Sequence, residues 1–506
     1  MLRRIDSFID NISMYRLLLY YLGALLLVAI GLSLFKDLHY NAAYIAISTG
    51  ILVAACWAIN HIFAYIFNAP INGESSLITA FILALIITPQ PTGYGITFLL
   101  AASGLAMASK YILTINEKHI FNPAAIAVAL TALGPKQSAS WWVATAPMLP
   151  YVLIGGLLIM RKIRRERMVL TFLIATSVAT TIYSLQAHTS VSTGLHDMLI
   201  SSPVLFLAFV MLTEPLTSPP TKAKQTWYAI LVGVLVPPQA HILSYYSTPE
   251  LALLIGNVFA YIVSPKVKLF PVLKQKIKIA RDTLDFVFTP DRALAYQPGQ
   301  YIEWTLQHKP TDSRGSRRFF TLASSPTEPD IRIGVKFYEQ GSTFKQALGS
   351  MTPETYIVAS QVAGDFVLPK NQSKKLVFIA GGIGITPFRS MVKYLIDTEQ
   401  TRTVTLLYSA RTQADFAYKD VFEEARQAIG LKTTYTVTDR EDEPEDANTI
   451  TGPITAALIQ RTVPDYQERI FYISGTHHMV EDVQDILKTL NVHHKNIKID
   501  FFPGYA

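Results

Sequence analysis

The sequence predicts three successive folds: a polytopic helical membrane domain, a small antiparallel β-barrel and an α/β domain with a parallel sheet. Half of the 506 residues are hydrophobic and only 16% are charged, against roughly 25% in a typical soluble protein. Residues 1–270 hold only 9 of the 37 acidic residues, so the membrane segment lies there. Beyond it, short alternating runs give way to strand–helix alternation, which is typical of a barrel followed by a parallel sheet.

The first half contains ten apolar runs that are candidates for membrane spans. The runs are Tyr15–Leu34, Tyr44–Phe67, Ser76–Pro89, Gly95–Leu113, Phe121–Leu133, Met148–Met160, Met168–Leu185, Met198–Leu212, Trp227–Val236 and Leu251–Val263. Several are short. Leu77–Ile87, Phe121–Leu133 and Ser202–Leu212 are more typical of half-helices opened by polar loops than of spans that face lipid.

Basic residues set the expected orientation, because positive loops stay on the cytoplasmic side. With the N-terminus inside, the densest basic cluster, Arg161–Arg167, is also inside, and Lys36 and Lys136 remain outside. An even number of spans places the second half in the cytoplasm. We therefore expect a multi-pass protein of the inner (cytoplasmic) membrane with both termini cytoplasmic. The positive excess belongs to these loops, which favours the lipid bilayer as partner and no nucleic acid.

Three polar patches interrupt the apolar runs at their cytoplasmic ends. They span residues 72–79, 118–123 and 213–221 and contain Thr79, Asn122 and Glu214. Polar groups at membrane depth predict a binding site. The alternative is that Asn, Ser and Thr cap short helices there; the convergence of three patches favours a shared site.

Two motifs in the second half carry chemistry. In Arg317–Pro326 (RRFFTLASSP), strand alternation puts Arg318 and Phe320 on one face and Thr321 on the other, so an arginine, an aromatic ring and a hydroxyl can meet one ligand. The bland alternative is a strand with an exposed charge. In Leu376–Pro387 (LVFIAGGIGITP), a buried strand leads through glycines into a helix, an arrangement that lets a pyrophosphate approach the backbone and the helix N-terminus.

These motifs, taken in order, resemble the ferredoxin–NADP⁺ reductase-like superfamily over Lys274–Ala506. The shared landmarks are Pro298–Tyr301, Arg318–Thr321, Gly341–Thr343, Gly381–Pro387, Gly475–Met479 and an aromatic C-terminus. The resemblance implies an FAD-binding barrel at 274–372 and an NAD(P)-binding α/β domain at 373–506, joined to the membrane domain (1–265) by a linker at 266–273.

The resemblance also implies roles for individual residues. Arg318 would hold the FAD pyrophosphate, Phe320 would pack on the flavin ring and Thr321 would bond near the flavin N5. Further supports of the pyrophosphate would be Gly341, Ser342 and Thr343. The nicotinamide nucleotide would be cradled by Gly381, Gly382, Gly384 and Thr386, with Ser474, Gly475 and Met479 close by. Phe501 or Phe502 would shield the other flavin face, or be ordinary core aromatics.

Two departures from this superfamily stand out. Phe320 takes the place of the usual tyrosine, and Ser474 precedes Gly475 where many members have a cysteine. The choice between NAD and NADP stays open, because Arg411 is placed either to accept a 2′-phosphate or to pair with Asp415.

The first half resembles the membrane subunits RnfD and NqrB over roughly residues 40–265. The matching stretches are GESSLITAFILALIITP, SKYILTINEKHIFNPAAIAVAL and FVMLTEPLTSPPTKAKQTWYA. The resemblance implies that Asn122 and Glu214 lie by a second flavin, FMN or riboflavin. The Ser-Gly-Ala-Thr motif that carries covalent FMN in that family is missing from Gly134–Pro147, so covalent attachment is not expected.

Together these features predict a membrane-bound oxidoreductase that passes electrons from cytoplasmic NAD(P)H through FAD to a membrane-domain flavin. The final acceptor would be a quinone or a flavinylated extracytosolic protein. One alternative is a haem-dependent ferric-reductase-like enzyme, which needs paired histidines, although only His61 lies well inside a predicted span. A redox-driven ion pump component is the other. No metal site is expected.

Overall fold

The computed structural model describes residues 9, 12–67, 73–115, 118–134, 137–242, 245–264, 268–312, 314–339, 341–439, 441–442 and 448–502. For residues 242, 245, 501 and 502 it describes the main chain alone. Residues 266 and 267 of the predicted linker lie outside the described part, as does position 72 of the first polar patch. The chain divides into two compact units, Met1–Val267 and Lys268–Ala506.

The first unit is built from helices. They are α1 Met14–Leu34, α2 Ala42–Ile66, α3 Gly73–Ile86, α4 Tyr94–Ile112, α5 Pro123–Leu133, α6 Leu149–Ile163, α7 Glu166–Gln186, α8 Val191–Ile200, α9 Val204–Met211, α10 Lys222–Leu235 and α11 Pro249–Val263. Two short hairpins accompany them: β1 Thr114–Ile115 with β2 Lys118–His119, and β3 His241–Ile242 with β4 Tyr245–Tyr246.

The number of spans differs from the ten apolar runs in the sequence. Among the described residues, five helices are long and apolar enough to cross a membrane, and six if α8 and α9, bent by 56°, count as one. Helices α3, α5 and α11 are shorter apolar helices. At 1.5 Å per residue, the 14 residues of α3 extend about 21 Å, less than the roughly 30 Å of a bilayer core. Segments expected to be half-helices are thus short or broken.

In the second unit, the first part is an antiparallel subdomain. Its elements are β5 Lys268–Leu269, β6 Val272–Ala280, β7 Thr283–Thr289, β8 Tyr301–Thr305, β9 Arg317–Thr321, β10 Ile331–Lys336, α12 Thr343–Ser350 and β11 Val358–Ala363. The strands form a three-stranded sheet (β10-β7-β6) and a four-stranded sheet (β5-β11-β8-β9). Phe288 of one sheet packs on Trp304 of the other, with ring centroids 5.0 Å apart. In the described residues the predicted barrel is therefore a pair of packed sheets.

The second part is a parallel subdomain. It comprises β12 Leu376–Gly381, α13 Thr386–Asp397, β13 Val404–Ala410, α14 Lys419–Ile429, β14 Lys432–Val437, β15 Thr449–Thr451, α15 Ala456–Thr462, β16 Ile470–Thr476, α16 His477–Thr489 and β17 Ile497–Phe502. The six strands run parallel in the order β15-β14-β13-β12-β16-β17. Two buried hydrophobic clusters cover the sheet, as the near-continuous apolar central strands require.

Candidate dinucleotide sites and a membrane cleft

Arg318 is buried within strand β9 of the antiparallel subdomain. Its side chain is 6% exposed, and Nη1 donates to the carbonyl oxygens of Arg314 at 2.7 Å and Arg317 at 2.6 Å. The guanidinium carbon lies 5.1 Å from the ring centroid of Phe344. A buried guanidinium fixed by carbonyls on one side is preorganised to bind an anion on another.

A second cation, Lys345, lies close to this arginine at the start of α12. Burial, together with the positive charges of Arg318 and Arg314, lowers the pKa of the Lys345 ammonium to about 8. Asp312 pairs with Arg314 at 2.9 Å. Burial opposes ionisation of Asp312, but hydrogen bonds from the Thr343 amide and Arg314 outweigh it and lower the pKa to about 2.

Three cations with one carboxylate leave an excess of two positive charges, which matches the double negative charge of a dinucleotide pyrophosphate. The turn at residues 341–343 lies beside them. Ser342 caps α12 by accepting from the Lys345 amide, and Thr343 Oγ1 lies 2.9 Å from His308 Nε2. Gly341 starts this turn. The turn that the sequence predicts to support a pyrophosphate thus lies beside these charges, whereas Lys345 and Asp312, which no motif marks, were not predicted.

Phe320 and Thr321 follow Arg318 on β9. Phe320 is half-buried, with its ring centroid 6.1 Å from that of Phe344. Thr321 is 3% exposed, and within the described part of the chain its hydroxyl has no hydrogen-bond partner. A buried hydroxyl without a partner costs free energy unless a ligand satisfies it.

The glycine-rich turn links β12 to α13 in the parallel subdomain. Gly382 adopts a positive φ of 52°, which favours glycine. A Cβ on Gly384 would lie 2.5 Å from the carbonyl oxygen of Ser474, and one on Gly381 would lie 2.1 Å from the sulfur of Met479. Gly384 is thus required by the close approach of the turn to the backbone at the end of β16, while a side chain at Gly381 would displace the Met479 side chain of α16. Thr386 begins α13 and is 3% exposed.

The end of β16 completes this site. Ser474 is fully buried, and its hydroxyl likewise has no hydrogen-bond partner among the described residues. Gly475 packs against Met479, whose sulfur would lie 2.8 Å from a Cβ at that position. Strand β17 pairs in parallel with β16, so the main chain of residues 501 and 502 lies beside Gly475. The side chains of Phe501 and Phe502 lie outside the described part, and their proposed shielding role stays a prediction.

Arg411, the candidate for contact with a 2′-phosphate, lies just past the end of β13. Its side chain is 81% exposed and lies 3.8 Å from Asp439. The alternative pairing with Asp415 is wrong, because Asp415 pairs with Lys336 at 2.8 Å. The carboxylate beside Arg411 is instead that of Asp439. The sequence could not show this pairing, because Asp439 follows a different strand, β14.

In the first unit, the three polar patches meet at one cleft. Thr79, Asn122 and Glu214 all line the same open cleft. Asn122 Nδ2 donates to Glu214 Oε2 at 2.8 Å, while Asn122 Oδ1 caps α5 by accepting from the Ala125 amide. Apolar side chains form the remaining walls, among them Leu18, Ile78, Ile82, Ile159 and Val210. Asn122 therefore caps a helix, as one of the two alternatives predicts, and also lines the cleft that the other alternative requires.

Asn257 on α11 is a structural support of the cleft that the sequence did not reveal. It is fully buried; its Oδ1 accepts from the Asn122 amide at 2.9 Å, and its Nδ2 donates to the Thr217 carbonyl at 3.3 Å. Thr217 in turn donates to Glu214 Oε2 at 2.9 Å. Asn257 thereby fixes both polar loops from a third element. A buried amide in an apolar helix was the only available signal.

Two protein families match parts of this chain. Residues 143–268 match the NQR2, RnfD, RnfE family, and residues 378–485 match the family described as oxidoreductase NAD-binding domain. The chain joins an NQR2/RnfD/RnfE-family region to an oxidoreductase NAD-binding domain. The first match covers the later part of the stretch that resembles RnfD and NqrB, so it includes Glu214 and Asn257 but begins after Thr79 and Asn122.

The relatives are reductases and flavoproteins. The glycine betaine monooxygenase reductase subunit of Chromohalobacter salexigens is 27% identical over 220 residues, covering 42% of this chain and 59% of that protein. A flavohemoprotein of Burkholderia sp. is 27% identical over 235 residues, covering 46% and 58%. The chain thus spans about three-fifths of the length of these curated relatives.

Solved structures are similar to about half of the chain. The Amycolatopsis cytochrome P450 reductase GcoB matches with a TM-score of 0.42 and 22% identity, covering 47% of this chain and 72% of that one. The cytochrome b5 reductase domain of Ulva prolifera nitrate reductase matches with a TM-score of 0.41 and 20% identity, covering 47% and 97%.

Proposed function

We propose that this protein is a membrane-bound NAD(P)H-dependent flavin oxidoreductase. It carries electrons from NAD(P)H, by way of FAD, to a flavin in the membrane unit and on to a quinone or a flavinylated extracytosolic protein. The observation that carries the proposal is the pair of buried hydroxyls without partners, on Thr321 and Ser474. Each lies in one of two motifs that resemble flavin-binding and nicotinamide-binding segments.

The residues of the second unit fit FAD and NAD(P)H. Arg318, Lys345 and the Thr343 turn supply charge and donors for the FAD pyrophosphate, while the Thr321 hydroxyl and the Phe320 ring would meet the flavin. The glycines from Gly381 to Gly384 keep side chains away from the nicotinamide nucleotide. When bound, FAD accepts a hydride and can release its two electrons singly. The names of the curated relatives, which are reductase subunits and flavohemoproteins, support the same activity.

For the first unit we propose a non-covalent second flavin, FMN or riboflavin, in the cleft. Asn122 and Glu214 would contact the polar edge of its ring, Thr79 would line the entrance, and the apolar walls would exclude water. The five long apolar helices support a place in a membrane. We place the protein in the inner membrane with both termini in the cytoplasm, where NAD(P)H is found.

The test uses the full-length protein purified in detergent. Its absorption spectrum is recorded, and anaerobic NADH and NADPH are mixed with it in a stopped-flow instrument. We expect flavin absorption bands that bleach with one or both nucleotides. In Thr321→Ala and Ser474→Ala, each of which removes a hydroxyl without a partner among the described residues, bleaching should slow by about tenfold or more. Thr283→Ala, a matched control whose buried hydroxyl already bonds to the Arg281 carbonyl, should bleach like the wild type.

Two results would contradict this function. Soret bands in the spectrum would support the haem-dependent alternative. A bound flavin that neither nucleotide reduces would exclude the NAD(P)H-dependent activity itself.

A further inference from the structure

Tyr418 bridges the two subdomains of the second unit. It lies at the start of α14 in the parallel subdomain and is 4% exposed. Its hydroxyl donates to Asp285 Oδ1, on β7 of the antiparallel subdomain, at 2.9 Å. The backbone of Tyr418 is left-handed, with a φ of 59°. A non-glycine residue in this region is strained, so the surrounding contacts must hold it there.

Both oxygens of Asp285 accept hydrogen bonds. The carboxylate is fully buried, and its other oxygen accepts from Arg332 Nε at 2.7 Å. Arg332 belongs to β10 of the same antiparallel subdomain, so Tyr418 is the donor that reaches Asp285 from the parallel side. Without that hydroxyl, one oxygen of a buried carboxylate loses a donor, which is costly in a low-dielectric interior.

The contact also touches the nucleotide-binding turn. A Cβ on Gly334 of β10 would lie 2.7 Å from the Tyr418 hydroxyl, 2.9 Å from Thr386 Cγ2 and 3.2 Å from Ile383 Cδ1. The glycine at this position therefore lets β10 approach the tyrosine and the turn at once. A shift of Tyr418 relative to β10 would also move the turn, because protein interiors are close-packed.

We propose that Tyr418, through Asp285, is a positioning residue for hydride transfer between the nicotinamide and the flavin. The inference rests on the proposed function. In the reaction, one hydrogen leaves the nicotinamide with both electrons of its C–H bond and joins the flavin ring, giving oxidised nicotinamide and reduced flavin. Tyr418 takes no part in this bond change. It fixes the turn that cradles the nicotinamide nucleotide against the subdomain that carries the flavin motif.

The test compares Tyr418→Phe with Tyr408→Phe in the full-length protein. Tyr408 is a matched control, because it is fully buried and its hydroxyl accepts from the Ala417 amide at 3.1 Å within the parallel subdomain. We expect Tyr418→Phe to lower the limiting rate of flavin reduction by about tenfold or more, since small displacements of reacting groups cost large factors. The concentration of nucleotide that half-saturates the rate should stay within about twofold, because the nucleotide contacts remain.

A second readout does not depend on activity. Amide hydrogen exchange over residues 381–387, measured without nucleotide, should be faster in Tyr418→Phe and unchanged in Tyr408→Phe. If Tyr418→Phe loses FAD on purification, Asp285→Asn tests the same contact with an isosteric side chain and should show the same two effects.

The outcomes separate the two proposals. A wild type that no nicotinamide nucleotide reduces overturns both the function and the positioning role. A reducible wild type with an equally fast Tyr418→Phe, or with Tyr418→Phe and Tyr408→Phe equally slowed, overturns the positioning role alone.

Discussion

The lowered pKa of Lys345 predicts that the affinity for FAD depends on pH. Burial and the charges of Arg318 and Arg314 lower the pKa of its ammonium from an ordinary 10.5 to about 8 in the protein without ligand. A bound pyrophosphate brings negative charge beside it and raises the pKa again. If the bound value returns to 10.5, FAD binding takes up a proton at any pH between about 8 and 10.5.

The size of the effect follows from this linkage. Below pH 8 the lysine is protonated with and without FAD, so the affinity is constant. Above pH 8 the free protein loses the proton and must regain it on binding. Between pH 7 and pH 9.5 the dissociation constant of FAD should therefore rise by roughly 30-fold, with the slope approaching tenfold per pH unit.

The assay is titration of FAD into the deflavinated protein at constant ionic strength, followed by flavin fluorescence. Lys345→Gln should bind FAD more weakly at pH 7 but with a nearly flat pH profile. Lys488→Gln, at a lysine 69% exposed on α16, is the matched control and should keep the wild-type slope. The reasoning is refuted if Lys345→Gln retains the full slope, or if the wild-type dissociation constant changes by less than about threefold over this range.

Three further changes test other parts of the account. Gly384→Ala places a methyl group 2.5 Å from the carbonyl oxygen of Ser474. The affinity for NAD(P)H should therefore fall by about tenfold or more in a nucleotide titration, and an unchanged affinity would contradict this prediction. Arg389→Met removes the buried guanidinium that pairs with the partly buried carboxylate of Glu328, and urea unfolding followed by flavin fluorescence should show a loss of about 1–3 kcal/mol; an unchanged free energy of unfolding would not fit. Asn257→Leu should remove the second flavin from acid extracts while Thr131→Val, a buried control on α5, retains it; equal flavin content in both would argue against the cleft.

The local motifs of the second unit were predictable from the sequence. Strand alternation across RRFFT predicts that the side chains of Arg318 and Thr321 lie on opposite faces of the strand. In the structure both residues belong to β9 and both are buried. The strand–glycine–helix pattern predicts the turn at Gly381–Pro387, since glycine and proline mark backbone geometry directly.

Contacts between distant segments were not predictable. Asn257 contacts Asn122 across 135 residues, and Tyr418 contacts Asp285 across 133. Neither residue lies in a recognisable motif, and a single sequence does not state which buried polar groups meet. Lys345 was missed for the same reason, because the charges of Arg314 and Arg318 that surround it lie in a different segment of the chain.

The count of ten spans stays unconfirmed, because hydropathy measures composition and not helix length. Loops and caps divide the apolar runs: the Asn122 cap starts α5 late, and the break at residues 201–203 bends α8 against α9 by 56°. The polar interruptions that shorten these helices also line the cleft. The three polar patches therefore indicated where the cleft lies, although the bounds of the surrounding helices were not predicted.

The most direct test of the central claim is an anaerobic NAD(P)H titration of the purified full-length protein, with FAD quantified in parallel by acid extraction. An FAD in the second unit and another flavin in the membrane cleft together accept four electrons, so the account predicts about two NAD(P)H oxidised per FAD before excess nucleotide accumulates. Asn122→Leu should reduce this ratio to about one. A wild-type ratio of one, with FAD the only flavin extracted, would contradict the membrane-domain carrier.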